Sequence, residues 1–116
     1  MDYALVTGGS RGIGRAICIK LAENGHNVLI NYTANQEKAL ETKKLVEEKG
    51  VKAEIIKFDV SDRQSVRAEL EKWQQSNPDN SIHILVNNAG VRKDNLLFWM
   101  KDEEWDDVLN ISLGGF

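Results

Sequence analysis

Four glycines fall within seven residues, at Gly8, Gly9, Gly12 and Gly14, directly after the apolar run Tyr3–Val6. The segment reads Thr7-Gly8-Gly9-Ser10-Arg11-Gly12-Ile13-Gly14, a Gly-x-x-x-Gly-x-Gly spacing. A plain strand-to-helix turn needs one glycine, for one residue of left-handed backbone. Four imply a second demand, a place where the chain comes too close to something to carry a Cβ. Between a strand and a helix, that something is the pyrophosphate of a dinucleotide. One glycine makes the tight turn, one lets the backbone approach the phosphates, and one lets helix and strand pack closely. The helix N-terminus then offers unpaired N–H groups and a partial positive charge. The motif carries this meaning only inside a βαβ unit, so it constrains the whole fold.

The rest of the chain predicts such units. Tyr3–Val6, Val28–Ile30, Glu54–Phe58 and Ile82–Val86 are short runs rich in Val, Ile and Leu. Near-continuous apolar runs suit strands covered on both faces, as in a parallel sheet. Ile13, Ala16, Ile17 and Leu21 predict the inward face of a first helix, ended by Gly25. Residues 35–49 predict a second helix, charged outside and capped by Gly50. Val66, Leu70 and Trp73 mark a third. Ser61 with Gln64 resembles its capping box, and the loop Ser76–Ser81, with the only proline, Pro78, ends it. A fourth helix is expected from Asp102 onward, with Trp105, Val108, Leu109 and Ser112 along one face. The order βαβαβαβα predicts an α/β fold, a Rossmann-type doubly wound parallel sheet with right-handed crossovers, cut short after the fourth strand and fourth helix. In the strand order 3-2-1-4-5-6 the fourth strand has a fifth beside it. Here Ile82–Val86 is expected to be a bare apolar edge, which promotes self-association or poor stability unless something covers it.

Composition narrows the function. A chain of 116 residues holds one domain. A net charge of −3 provides no basic field for nucleic acid or an anionic membrane. No apolar run reaches the roughly 18 to 20 residues of a membrane span. Met1-Asp2-Tyr3 leads straight into a strand, without the basic and apolar stretches of a signal peptide. The single cysteine, Cys18, permits no intrachain disulfide or cysteine metal cage. The expectation is a cytoplasmic protein with no nucleic-acid or membrane partner. His26 and His83 are distant in sequence and lack ligand-like spacing, so no metal site is expected. Trp73, Trp99 and Trp105 read as packing residues, Cys18 as inert, and the charges at 37–49 and 102–107 as solvated helix faces.

The end of the second strand bears on which dinucleotide fits. An acid there would bond the ribose 2′-hydroxyl of NAD. The chain reads Asn31-Tyr32-Thr33, with no acid. Arg11 lies in the turn, near where the 2′-phosphate of NADP would sit, and a guanidinium binds that phosphate where a carboxylate repels it. The balance favours NADP(H) over NAD(H). The plain alternative for Arg11 is a solvated surface charge.

Further motifs complete a pattern. Asp59-Val60 follows the third strand, Asn87-Asn88-Ala89-Gly90 follows the fourth, and Trp105 leads the fourth helix through Asp107-Val108-Leu109. Together with the glycine turn they resemble the short-chain dehydrogenase/reductase family along the whole chain. Ser10-Arg11-Gly12-Ile13-Gly14, and the stretch from Asn87 through Asp94-Asn95-Leu96-Leu97, carry a closer likeness to its 3-oxoacyl-[acyl-carrier-protein] reductases. The resemblance implies that Gly8, Gly9, Ser10, Arg11, Gly12, Ile13 and Gly14 hold the pyrophosphate and adenosine ribose. Asp59 would accept from the adenine amino group and Val60 would pack on the ring. Asn88, Ala89 and Gly90 would border the cofactor, and Asn87 would steady the sheet. Plainer roles are a turn before the third helix for Asp59 and turn formation for Asn87 and Asn88.

The resemblance also implies a Ser, a Tyr-x-x-x-Lys pair and a fourth-helix Asn for catalysis. Tyrosine is the acid toward the carbonyl oxygen and lysine lowers its pKa. None of the Ser, Tyr and Lys can be assigned. Tyr3 and Tyr32 are the only tyrosines, and Thr7 and Gln36 stand four residues on. The family Asn aligns with Ser112, whose hydroxyl could hold a water or simply pack against the sheet. Asn110, two residues earlier, lies about 200° away around a helix. Residues 1–116 are therefore expected to be the NADP-binding N-terminal part of a single domain, without the catalytic part and inactive alone. The complete enzyme would reduce a 3-oxoacyl substrate bound to acyl-carrier protein, as a homo-oligomer, tetrameric in the family. Two alternatives stay open: another short-chain reductase acting on a sugar, steroid or other carbonyl, or a non-catalytic NADP-binding module.

Overall fold

The computed structural model describes residues 1–10 and 12–88, and the backbone of 96–99. The elements run β1 (Asp2–Val6), α1 (Gly12–Glu23), β2 (Asn27–Tyr32), α2 (Gln36–Glu47), β3 (Ala53–Lys57), α3 (Arg63–Ser76), β4 (Ser81–Asn87) and β5 (Leu96–Trp99). They form one sheet in the order β3-β2-β1-β4-β5. The first four strands pair in parallel. This is the Rossmann-type α/β architecture that the alternating pattern predicts.

Alternation along the strands builds a core on each face. Side chains of successive strand residues point to opposite faces. Tyr3 and Leu5 of β1 therefore join Leu29, Ile56 and Phe58 under Val66, Leu70 and Trp73 of α3. Ala4 and Val6 join Val28, Ile30 and Ala53 under Cys18 and Ala22 of α1 and Val46 of α2. In β4 this alternation breaks once. Tyr3 pairs with Ile82 and Ala4 with Ile84, which leaves His83 as an extra residue. A bulge of one residue flips the facing of everything after it. Ile82 accordingly lies in one core and Ile84 in the other.

Three local expectations are corrected. The buried face of α1 is Gly14, Cys18 and Ala22, with Ile17 and Leu21 flanking it and Ile13 68% exposed. The apolar residues at 13 and 16 suggested a stripe one position away. At Gly14 the backbone of Gly8 leaves no room for a Cβ, so the helix there admits only glycine. The start of α3 is capped by Asp62, not by Ser61 with Gln64. Asp62 has extended backbone, and its side chain accepts from the Gln64 and Ser65 N–H groups, while Ser61 is bonded to Asp59. The third correction concerns the edge of the sheet. β5 pairs antiparallel with β4 from Asn87–Leu96 to Ile84–Trp99, so the Ile84–Val86 part of the expected edge is covered. An antiparallel neighbour needs only a chain reversal, whereas a parallel one needs a full crossover. Among the described residues β5 is the outermost strand on that side. The expected fourth helix, with Trp105, Val108, Leu109 and Ser112, lies outside the described residues.

Helix ends follow the glycines. At the end of α1, Gly25 has φ 87°. Its N–H donates to Ala22 O and the His26 N–H to Leu21 O, a Schellman pair that satisfies the last carbonyls. Among the described residues no helix is long and apolar enough to cross a membrane.

Candidate functional site

The C-terminal ends of β1, β2, β3 and β4 lie along one edge of the sheet, because these strands are parallel. The glycine turn, Thr33, Asp59 and Asn88 all follow those ends. Beyond β1 the chain winds outward to β2 and β3, then returns across the sheet to β4 on the other side of β1. Such a switch point opens a crevice beyond the strand ends, between the two halves. The glycine turn stands at its mouth.

The turn is held from four directions. The Thr7 N–H donates to Val86 O at 3.0 Å, tying it to β4. Gly9 N–H donates to Asn31 O at 2.9 Å, and Gly8 N–H donates to Asn31 Oδ1 at 3.0 Å, tying it to β2. Asn88 Nδ2 donates to Gly8 O at 3.3 Å. Arg15 and Thr42, on α1 and α2, both donate to Ser10 O. Two glycines adopt left-handed backbone, Gly8 at φ 65° and Gly12 at φ 63°, where a side chain is strained. Gly14 has a different reason. A Cβ there would collide with Gly8 O and stand 2.9 Å from Asn88 Nδ2. Helix α1 thus begins directly against the turn, with open space around Gly12 on its outer side. Free N–H groups at a helix start and an open glycine surface are what a pyrophosphate requires, so the residues present fit a dinucleotide.

Asn31 was expected among the nucleotide contacts, but it is fully buried. Besides accepting from Gly8, its side-chain amide donates to Phe58 O at 3.0 Å, and at longer range to Ile56 O and Tyr32 O. The site needs a donor and an acceptor in one side chain, which a carboxylate does not provide. That is a structural reason for the missing acid. Asn31 positions the turn from below, and it joins the ends of β2 and β3 to it. Tyr32 is also buried, whereas Thr33 is exposed.

Asp59 is exposed, and its Oδ1 accepts from the Ser61 N–H at 2.9 Å and from Ser61 Oγ at 2.7 Å. These hydrogen bonds hold its carboxyl below the usual range, so it is ionised at neutral pH. Val60 packs in part against the core beside α3. Asn88 is half-buried at the end of β4. Arg11, Ala89, Gly90 and Ser112 lie outside the described residues, as does the side chain of Asn87.

Sequence reasoning missed Arg15 and Thr42. A signal existed for Thr42, which is the polar member of the buried stripe Ala39, Thr42, Val46 on α2. It also missed that His26 and His83 approach, with ring centroids 6.0 Å apart at the opposite end of the strands. Among the described residues no group of three or more His, Cys, Asp or Glu could hold a metal ion. Cys18 is buried, and burial pushes its thiol up to about 12.

Comparison with known proteins agrees with this geometry. A family model described as short chain dehydrogenase matches residues 2–116. The chain is 46% identical over 112 residues to 3-oxoacyl-[acyl-carrier-protein] reductase FabG of Staphylococcus aureus, covering 97% of this chain and 45% of the relative. FabG of Haemophilus influenzae is 44% identical over 110 residues, covering 95% and 43%. The chain thus spans less than half the length of these relatives. Among solved structures it resembles a reductase described as "Promiscuous Reductase LugOII Catalyzes Keto-reduction at C1 during Lugdunomycin Biosynthesis". The TM-score is 0.67 at 36% identity, over 78% of this chain and 38% of that one.

Proposed function

Because the chain belongs to the short chain dehydrogenase family, we propose that residues 1–116 are the NADP(H)-binding N-terminal part of a carbonyl reductase. The observation that carries this reading is the turn itself. It is pinned from β2, β4, α1 and α2, opens helix α1, and leaves no room for a Cβ at Gly14. Gly8, Gly9, Ser10, Gly12, Ile13 and Gly14 would surround the pyrophosphate and adenosine ribose. Arg11 and Thr33 would take the 2′-phosphate. Asp59 would accept from the adenine amino group, with Val60 under the ring. Asn88, Ala89 and Gly90 would border the nicotinamide half. The exposure of Ile13 and Thr33 and the ionised Asp59 support these roles. The nicotinamide supplies the hydride when bound.

For the whole protein the substrate would be a 3-oxoacyl thioester on acyl-carrier protein, reduced to the 3-hydroxyacyl form. The FabG likeness supports this class, and the family setting supports a cytoplasmic homo-oligomer. Within the present sequence no tyrosine has lysine four residues on. Ser112 alone would offer a hydroxyl to the reacting centre. These 116 residues would bind nucleotide and turn nothing over.

Titration with NADPH and NADH, followed by energy transfer from tryptophan, tests the reading. NADPH should bind tighter by roughly tenfold or more, the worth of a charge-assisted contact to the 2′-phosphate. Failure to bind either nucleotide overturns the site, and tighter binding of NADH overturns the NADP preference. Ketone-dependent NADPH oxidation by these residues at roughly 1 per second or faster would overturn the claim of inactivity.

A further inference from the structure

The carbonyl of Ser10 is gripped twice. Arg15 Nη2 donates to it at 2.8 Å and Thr42 Oγ1 at 3.0 Å. The two side chains are also joined, since Arg15 Nε donates to Thr42 Oγ1 at 2.9 Å. A helical threonine ordinarily gives its one hydroxyl proton to the carbonyl four residues back, here Lys38 O at 3.2 Å. Arg15 Nη2 supplies that carbonyl with another donor at 3.0 Å. The Thr42 proton is thereby released to Ser10, the nearer acceptor. Thr42 is completely buried, so no water competes for it.

Ser10 stands between Gly8 and Gly12, both in left-handed backbone. The two donors from the helices fix where the Ser10 carbonyl points within the turn. Helix α2 itself contributes no residue to the turn and reaches it through this grip.

We propose that Thr42 and Arg15 are positioning residues for nucleotide binding, through which α2 holds the glycine turn in its binding shape. The inference rests on the reading of the turn as a nucleotide site. It adds two side chains that lie behind the turn and touch no ligand themselves. It also makes the position of α2 a determinant of affinity.

The test uses the full chain with Thr42→Val, Thr42→Ser and Arg15→Gln, measuring NADPH dissociation constants and urea unfolding. Valine keeps the shape of threonine and loses only the hydroxyl. Thr42→Val should weaken NADPH binding by roughly fivefold and Arg15→Gln by roughly tenfold, in proportion to the hydrogen bonds removed. Thr42→Ser should restore wild-type affinity. A role confined to stability would lower the urea midpoint and leave the affinity of the folded protein unchanged. That result for both variants overturns the inference, as does failure of both to fold, which would make the grip a requirement of the fold. If wild type binds no nucleotide, the site reading falls and takes the inference with it. If wild type binds and the folded variants bind equally well, only the inference falls.

Discussion

Gly14 and Gly12 are glycines for different reasons, and substitution separates them. At Gly14 an added methyl meets the backbone oxygen of Gly8, which cannot turn aside. Gly14→Ala should cost about 3 kcal/mol or more through overpacking and should abolish nucleotide binding. At Gly12 nothing lies within 4 Å, and only the left-handed backbone resists a side chain. Gly12→Ala should cost about 1 to 2 kcal/mol. Urea denaturation checks the order, and a larger loss at Gly12 would contradict it. Asn31 offers a sharper test. Asn31→Leu leaves the Gly8 N–H and Phe58 O without partners and should cost about 2 to 3 kcal/mol. Asn31→Asp keeps the acceptor for Gly8 but buries a charge. Burial raises a carboxyl's pKa, so the protonated form is favoured in the fold and can donate to Phe58 O. The deficit of Asn31→Asp relative to wild type should therefore shrink as pH falls from neutral toward about 5. A deficit independent of pH would refute this account.

The helices show where pattern and packing part. Three helices were legible from apolar spacing, and their glycine ends from Gly25 and Gly50. The inward face of α1 was not, because Ile13 and Ala16 are apolar without being buried. Close contact with the Gly8 backbone selects glycine at position 14, and hydrophobicity alone cannot rank Gly14 above Ile13. The start of α3 was legible as a polar cluster, Ser61-Asp62-Arg63-Gln64, but which residue caps it depends on backbone angles. Asp62→Ala should lower stability by about 1 kcal/mol, as expected for a lost N-cap. Ser61→Ala should leave α3 intact and instead release Asp59, whose carboxyl then returns toward its ordinary range. Helix content by circular dichroism and the NMR titration of Asp59 check both. A larger loss of helix from Ser61→Ala would restore Ser61 as the cap.

Two cores, one on each face, tie these elements into a single sheet-centred molecule. Two buried acids make its stability sensitive to alkali. Burial pushes the Cys18 thiol up to about 12 from 9.0. Burial, with the Glu54 carboxylate, pushes the Tyr3 hydroxyl up to about 12 from 10.0. In both, the folded state holds a proton that the unfolded chain gives up earlier. Their contribution is complete below the unfolded values and is lost as pH rises toward 12. The urea midpoint should therefore fall steadily from about pH 8 to about pH 11, and Cys18→Ala should remove part of the slope. A flat profile would show that these groups are not buried as described. Native Cys18 should also resist thiol reagents until the chain unfolds.

Strand and helix order, the parallel sheet and the location of the glycine turn follow from residue periodicity and glycine spacing, because those are local properties of the chain. Family membership was legible for the same reason, in short motifs such as Thr7–Gly14 and Asn87–Gly90. The bulge at His83, the cover on β4, the inward role of Asn31 and the grip of Arg15 and Thr42 on Ser10 come from tertiary structure. The longer links join residues distant in sequence, 23 positions apart for Gly8 and Asn31 and 32 for Ser10 and Thr42. Only the folded sheet brings such residues within hydrogen-bond reach, and periodicity along the chain carries no record of it.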